Sequence, residues 1–268
     1  MGIDYNKIRM VVSDMDGTLL NASHQVSPRF FELFEGLKKR NIRFVAASGR
    51  QYPSMRSKLT RIADEMSFIA ENGALIIEKE KTLHTQELSA PYIKSVVSQL
   101  QDLDEVESIL CSERTAYSLS KNLHFHGLLK EYYEEHRIVN ALEEITDPIL
   151  KIALYHKEGG EKNIYPHFRS FEGDLKVKVS GDFWVDISDM NANKGYALKK
   201  LLSHYDLTTD ELLVFGDYNN DLEMLALTPN SVAMENAHPT VLQAANYKTS
   251  SHNDHGVERI LEELLAVT

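Results

Sequence analysis

The run Asp14-Met15-Asp16-Gly17-Thr18, directly behind the apolar Met10-Val11-Val12, constrains the fold of this chain more than any other feature. Two carboxylates two residues apart leave the end of a predicted strand together and enter a glycine turn. Like charges held that close repel unless a cation or a proton sits between them. In an open α/β sheet, ligands gather at the carboxyl ends of the strands. The pair therefore points to a strand-edge site for a divalent metal, a phosphate, or both.

The segments around that run alternate strand and helix. Apolar runs predict strands over 9–13, 42–47 and 68–70, with helices over 28–39 and 52–63 between them. After residue 189 the alternation resumes: helix 193–204, strand 212–215, helix 221–226, strand 231–234, then helices over 241–245 and 257–265. Repetition at this spacing implies right-handed parallel crossovers and an α/β, doubly wound parallel sheet of Rossmann-like form. The middle reads differently: helix 91–100, strands 106–111 and 116–119, helix 123–135, strand 149–155, helix 161–171, strands 176–179 and 184–187. Strands joined by turns such as Gly181-Asp182 predict an antiparallel sheet covered on one face by helices. The expected organisation is a core of residues 1–88 and 189–268 with an inserted α+β cap over 89–188. Short linkers near Glu87–Ala90 and Asp189–Ala192 would be its hinges.

Charge narrows the function. A net charge of −11 over 268 residues argues against an extended nucleic-acid or anionic-membrane surface. A phosphate ligand would have to be held by local cations and amides. The single cysteine, Cys111, excludes an internal disulfide framework and fits a reducing compartment. The N-terminal residues lack the basic and apolar regions of a secretory signal, and no apolar stretch approaches the roughly 18 residues that span a bilayer. The expected location is the cytoplasm.

Four polar segments end predicted strands or open helices: Asp14-Met15-Asp16-Gly17-Thr18, Ser48-Gly49-Arg50, Lys194-Gly195, and Gly216-Asp217-Tyr218-Asn219-Asn220-Asp221. A parallel sheet brings such segments to one edge, and carboxylates, a hydroxyl, glycine amides and a lysine are what phosphoryl transfer needs. In order and spacing they resemble the four motifs of the haloacid dehalogenase superfamily of phosphatases, and the long insertion resembles the cap of its Cof-type branch. Glu71-Asn72-Gly73-Ala74, Val232-Ala233-Met234-Glu235-Asn236-Ala237 and Asp254-His255-Gly256-Val257 echo it further. Glu235 departs from it, standing where relatives commonly carry glycine.

The resemblance implies a Mg2+-dependent phosphatase acting on a small phosphorylated metabolite, with no nucleic-acid or membrane partner. Asp14 would be the nucleophile and Asp16 the general acid and base. Asp14, Asp16 (through its main-chain carbonyl), Asp217 and Asp221 would hold the metal. Ser48, Gly49, Lys194 and Asn220 would grip the phosphoryl oxygens, with Thr18 propping the loop or bonding Asp14. Closure of the cap would exclude water and select the leaving group. Other readings stay open: Asp221 as a helix cap, Ser48 as a turn former, Arg50 as an ion pair or a substrate contact. A phosphomutase or a phosphate-sensing module could use the same phospho-aspartate. His124/His126 and His252/His255 lack a complete ligand set at zinc spacing. The glutamate-rich runs 130–137 and 258–263 read as solvated helix faces. Trp184 reads as core packing, and with Arg114, His124, His126 and Tyr132 it is what the cap offers a substrate.

Overall fold

The computed structural model describes residues 2–133 and 135–267; the Glu131 and Tyr132 side chains lie outside that description. Strand β1 (Met10–Asp14) is fully buried, as its unbroken apolar run requires. Helix α1 (Pro28–Lys39) opens with Ser27 accepting from the Phe30 amide and with proline in its first turn. It lays Phe30 and Phe34 on β2 (Arg43–Ala47), where Phe30 meets Phe44 edge-on at 4.9 Å. Helix α2 (Tyr52–Lys58) and β3 (Ser67–Ala70) follow. Next come β4 (Leu75–Glu78) and β5 (Lys81–Thr85), both absent from the sequence expectation. The turn between them places Lys79 and Glu80 at φ 48° and 64°. That geometry normally announces itself through Asn-Gly, and here it does not.

The middle of the chain contains α3 (Ala90–Leu100), β6 (Glu107–Cys111), β7 (Ala116–Ser118), α4 (Leu123–Tyr132), β8 (His136–Ile138) and β9 (Lys151–Tyr155). It continues with α5 (Gly160–Asn163), α6 (Tyr165–Phe168), β10 (Leu175–Val179) and β11 (Trp184–Asp189). The strands form one sheet in the order β10-β11-β9-β6-β7-β8. The pair β7/β8 is parallel, while β6/β7, β6/β9, β9/β11 and β10/β11 are antiparallel.

Three expectations for this region need correction. Both sheet faces carry apolar clusters: Leu110, Ile152 and Val185 pack with Val96 and Phe168, whereas Ile109, Cys111 and Ala153 pack with Phe125 and Leu129 of α4. The expected helix over 161–171 is broken into α5, α6 and a 3-10 turn. Pro166 offers no amide to continue α5, so a new helix starts there. The expected single helix through 135 stops at Tyr132, so the run over 130–137 is not one helix face; His136–Ile138 pairs with β7 instead.

The last segment holds α7 (Lys194–Tyr205), β12 (Leu212–Gly216), α8 (Leu222–Leu225), β13 (Ser231–Met234), α9 (Pro239–Ala244), β14 (Tyr247–Thr249) and α10 (Gly256–Ala266). Glu258 of α10 is buried, not solvated, because the Ser27 hydroxyl donates to it. The large sheet runs β14-β13-β12-β1-β2-β3-β4-β5, parallel from β14 to β3 with β4 antiparallel to β3. From β1 the chain builds outward through β2 and β3, then returns to build the other side through β12 and β13. The reversal makes the β1/β12 boundary a topological switch point. Register aligns the strand ends: Asp14 lies opposite Ala47, and Ser13 opposite Phe215.

Two compact units result: Met1–Arg50, Met55–His84 and Asn193–Thr268 form one, and Gln51–Ser54 with Thr85–Ala192 form the other. Among the described residues no helix is long and apolar enough to cross a membrane. Cys111 is fully buried. Phe30→Ala should remove about 3–5 kcal/mol of stability from the first unit, because both Phe30 and its partner Phe44 are buried. A loss below 1 kcal/mol in urea denaturation would show that α1 packing contributes little.

Candidate active site

Asp14 ends β1 with its carboxylate almost fully buried, and Lys194 opens α7 with no solvent exposure. The Lys194 ammonium donates to Asp14 Oδ1 at 2.5 Å and to Asp221 Oδ1 at 2.6 Å. A lysine at a helix start opposes the helix dipole, and these two carboxylates offset that cost. The Asn193 side chain caps the same helix by accepting from the Tyr196 amide. Asp221 Oδ2 accepts from the amides of Asp217 (2.9 Å) and Tyr218 (3.1 Å), folding the loop after β12 back on itself. Asp221 therefore closes that loop as a cap would while its other oxygen faces Lys194.

Carboxylate oxygens of Asp14, Asp217 and Asp221 lie within 4.8 Å of one another, the one such group of potential metal ligands among the described residues. Burial pushes the Asp14 carboxyl well above its ordinary range; Lys194 opposes this, and Asp221 and Asp217 add to it. Burial and the charge of Asp221 likewise raise Asp217. Burial works to lower Lys194, but the charges of Asp14 and Asp221 outweigh it and keep the ammonium protonated. Three carboxylates against one ammonium leave a formal surplus of two negative charges on clustered oxygen donors. That charge and donor chemistry fit a divalent cation that prefers oxygen ligands. Gly17 (φ +79°) permits the crowding, since a Cβ there would lie 2.3 Å from Asp217 Oδ2.

Asp16 takes a different direction. Arg50 grips its carboxylate as a fork, Nε to Oδ2 and Nη2 to Oδ1, both at 2.6 Å. His24 Nδ1 lies 3.2 Å from Oδ1. Burial alone would raise this carboxyl, but Arg50 first and His24 second hold it below the ordinary carboxylate range. The Asp16 side chain is not in the group formed by Asp14, Asp217 and Asp221. Arg50, open between ion pair and substrate contact in the sequence, makes an ion pair with Asp16.

The remaining sequence-chosen residues line the same strand edge. The Thr18 hydroxyl donates to Asp217 Oδ1 at 3.0 Å. The buried Ser48 hydroxyl accepts from the Arg50 amide at 3.2 Å, which is the turn role. Gly49 lies against Asn72, whose amide nitrogen a Cβ would meet at 2.9 Å. Asn72 Oδ1 in turn accepts from Asn220 Nδ2 at 2.9 Å. Asn72 sits in the left-handed region at φ 54°, and Asn236 Nδ2 donates to the Gly17 carbonyl at 2.8 Å. Both asparagines lay in stretches noticed in the sequence without a role. His24 was missed outright, because an isolated histidine in a polar loop carries no periodic signal. Glu235 is exposed in the turn between Met234 and Ala237. In the second unit, Trp184 packs on Tyr155 at 5.0 Å, and the His126 ring bonds the Ser120 carbonyl.

A model of the haloacid dehalogenase-like hydrolases matches residues 11–261. The 5-amino-6-(5-phospho-D-ribitylamino)uracil phosphatase YbjI of Escherichia coli K12 is 33% identical, the alignment covering 96% of each chain. YitU of Bacillus subtilis, also a 5-amino-6-(5-phospho-D-ribitylamino)uracil phosphatase, is 25% identical over 96% of this chain and 98% of that one. Among solved structures, SMU.1108c from Streptococcus mutans UA159 superposes with a TM-score of 0.83 at 30% identity, covering 97% of this chain and 99% of that one. The chain belongs to the haloacid dehalogenase-like hydrolases, as a phosphatase of the Cof-type branch.

Lys194→Met should cost about 3–5 kcal/mol in the metal-free protein, since it strands Asp14 and Asp221 without their buried counter-charge. The loss should be larger at neutral than at mildly acidic pH. A carboxyl raised in the folded state contributes stability at low pH that disappears as pH rises through the raised value. Melting curves in chelator at both pH values check this, and equal losses at both would contradict it.

Proposed function

We propose that this phosphatase hydrolyses a small phosphorylated metabolite in a magnesium-dependent reaction, through a covalent aspartyl-phosphate on Asp14. The observation that carries the reading is Asp14 itself, buried at the switch point, bonded to Lys194 and clustered with Asp217 and Asp221. An Asp14 oxygen attacks phosphorus, and the single hard displacement becomes two easier ones. Asp14, the main-chain carbonyl of Asp16, Asp217 and Asp221 would hold the magnesium ion, whose charge lets an anionic carboxylate approach an anionic ester. Lys194, the Ser48 hydroxyl, the Gly49 amide and Asn220 bind the phosphoryl oxygens, since this chemistry is mostly positioning and electrostatics.

Asp16 protonates the leaving oxygen and then takes a proton from the attacking water, a contribution of roughly 10²–10⁴-fold. Ionised by Arg50, it is already set for the second step. For the first step it needs a proton, and an anionic ester beside it raises its affinity for one. The second unit is assigned the choice of leaving group. Sugar phosphates and phosphorylated cofactors are the substrate class. The activity for which YbjI and YitU are named puts 5-amino-6-(5-phospho-D-ribitylamino)uracil first among the esters to test. A cytoplasmic location follows from such a substrate.

Phosphate release over a panel of phosphorylated metabolites, with magnesium and with chelator, tests the reading. Chelation should abolish release and magnesium restore it. Asp14→Asn and Asp16→Asn should each lower turnover by at least about 10²-fold while circular dichroism stays native. Robust activity in the Asp14 variant would reject the covalent route, and an isomerised sugar phosphate without free phosphate would indicate a mutase.

A further inference from the structure

We infer that His24 is a positioning residue for proton transfer by Asp16, an inference that rests on the phosphatase reading above. With His24 carrying a proton on Nδ1, three donors meet the Asp16 carboxylate: Arg50 Nε on Oδ2, Arg50 Nη2 on Oδ1, and His24 Nδ1 on Oδ1 at 3.2 Å. The two oxygens are therefore unequal. Among the described residues, Oδ1 lies between two nitrogen donors, and Oδ2 accepts from Arg50 Nε. A proton moving between Asp16 and an ester oxygen uses Oδ2, while Oδ1 anchors the group. The Arg50 fork fixes the plane of the carboxylate, and the imidazole, further along the β1–α1 connection that carries Asp16, adds a second hold on Oδ1.

The loop carrying His24 is built to present it. His24 lies in the left-handed region at φ 53°, a conformation unfavourable for most side chains and one glycine would adopt without steric cost. Histidine is among the side chains that accept this conformation, so the backbone allows the ring to stand here, and the contact with Asp16 is what assigns it a role. Asn21 organises the turn: its side-chain oxygen accepts from the amides of Ser23 (2.9 Å) and Gln25 (3.1 Å), and its carbonyl accepts from the His24 amide at 2.8 Å. The loop is pinned from outside by Asn253, whose side chain accepts from the Ala22 amide at 2.9 Å. Nothing in that network needs a ring at position 24. Among the described residues, the one polar contact of the His24 side chain besides Asp16 is Arg50 Nη2, 3.4 Å from the same ring nitrogen.

The test compares kcat/KM for two esters, because this ratio reports the steps through departure of the leaving group. An alkyl phosphate needs its departing oxygen protonated; p-nitrophenyl phosphate, with a stable phenolate, does not. In His24→Ala and in His24→Gly, the latter free of backbone strain, the alkyl-to-aryl ratio of kcat/KM should fall about tenfold. His24→Gln, which keeps a donor, should recover most of the loss. In an Asp16→Asn background, His24→Ala should not change the ratio further. An unchanged ratio in His24→Ala while wild type turns over both esters overturns this inference and leaves the phosphatase reading standing. So does a further fall in the Asp16→Asn background. Absence of turnover in wild type on every ester brings down both.

Discussion

Lys194 carries its charge into a site closed to solvent, and it does so because Asp14 and Asp221 each accept a hydrogen bond from it. Without that ammonium, two carboxylates from segments two hundred residues apart would be buried side by side with nothing between them, a costly arrangement. With it, the ends of β1, β12 and α7 are drawn to one point. The same contact leaves the cluster short of positive charge, because Asp217 adds a third carboxylate. The site is thus stable enough to fold and still electrostatically incomplete, a useful condition for binding a cation and then an anionic ester.

The two aspartates of the first loop diverge although one residue separates them. Asp14 stays with the strand, among carboxylates, where burial disfavours its charge. Asp16 has passed Met15 into the glycine turn and faces a guanidinium and an imidazole that favour its charge. Sequence spacing shows that the pair is close; it cannot show that the carboxylates face different partners. In the mechanism proposed above, this opposite perturbation of neighbouring acids is what would let a single loop supply both a nucleophile and a proton carrier.

The core was readable where the physics is local. β1, β2 and β12 are buried on both faces and so appear as unbroken apolar runs, and parallel order followed from their alternation with helices. Failures occurred where tertiary context decides. β8 and β14 span three residues each, too short for any periodicity. β4 and β5 meet through a turn of two charged residues in the left-handed region, chemistry that reads as a solvated break. Glu258 looked like one of several surface glutamates until the Ser27 hydroxyl reached it. At the site, the paired carboxylates, Lys194 and the glycines were visible because their residue types are unusual at strand ends. His24, Asn72 and Asn236 act through loops whose meeting no linear spacing encodes.

The placement of Cys111 has a practical corollary. The chain has one thiol, and it lies in the interior of the sheet between Ala153 and the residues of α4, within 3.7 Å of the Tyr133 hydroxyl. A thiol-directed dye or spin label added to the native protein meets no accessible thiol. Cysteines introduced singly at chosen surface positions can therefore be tagged selectively without first stripping the background, which opens spectroscopic ruler measurements on otherwise unaltered protein.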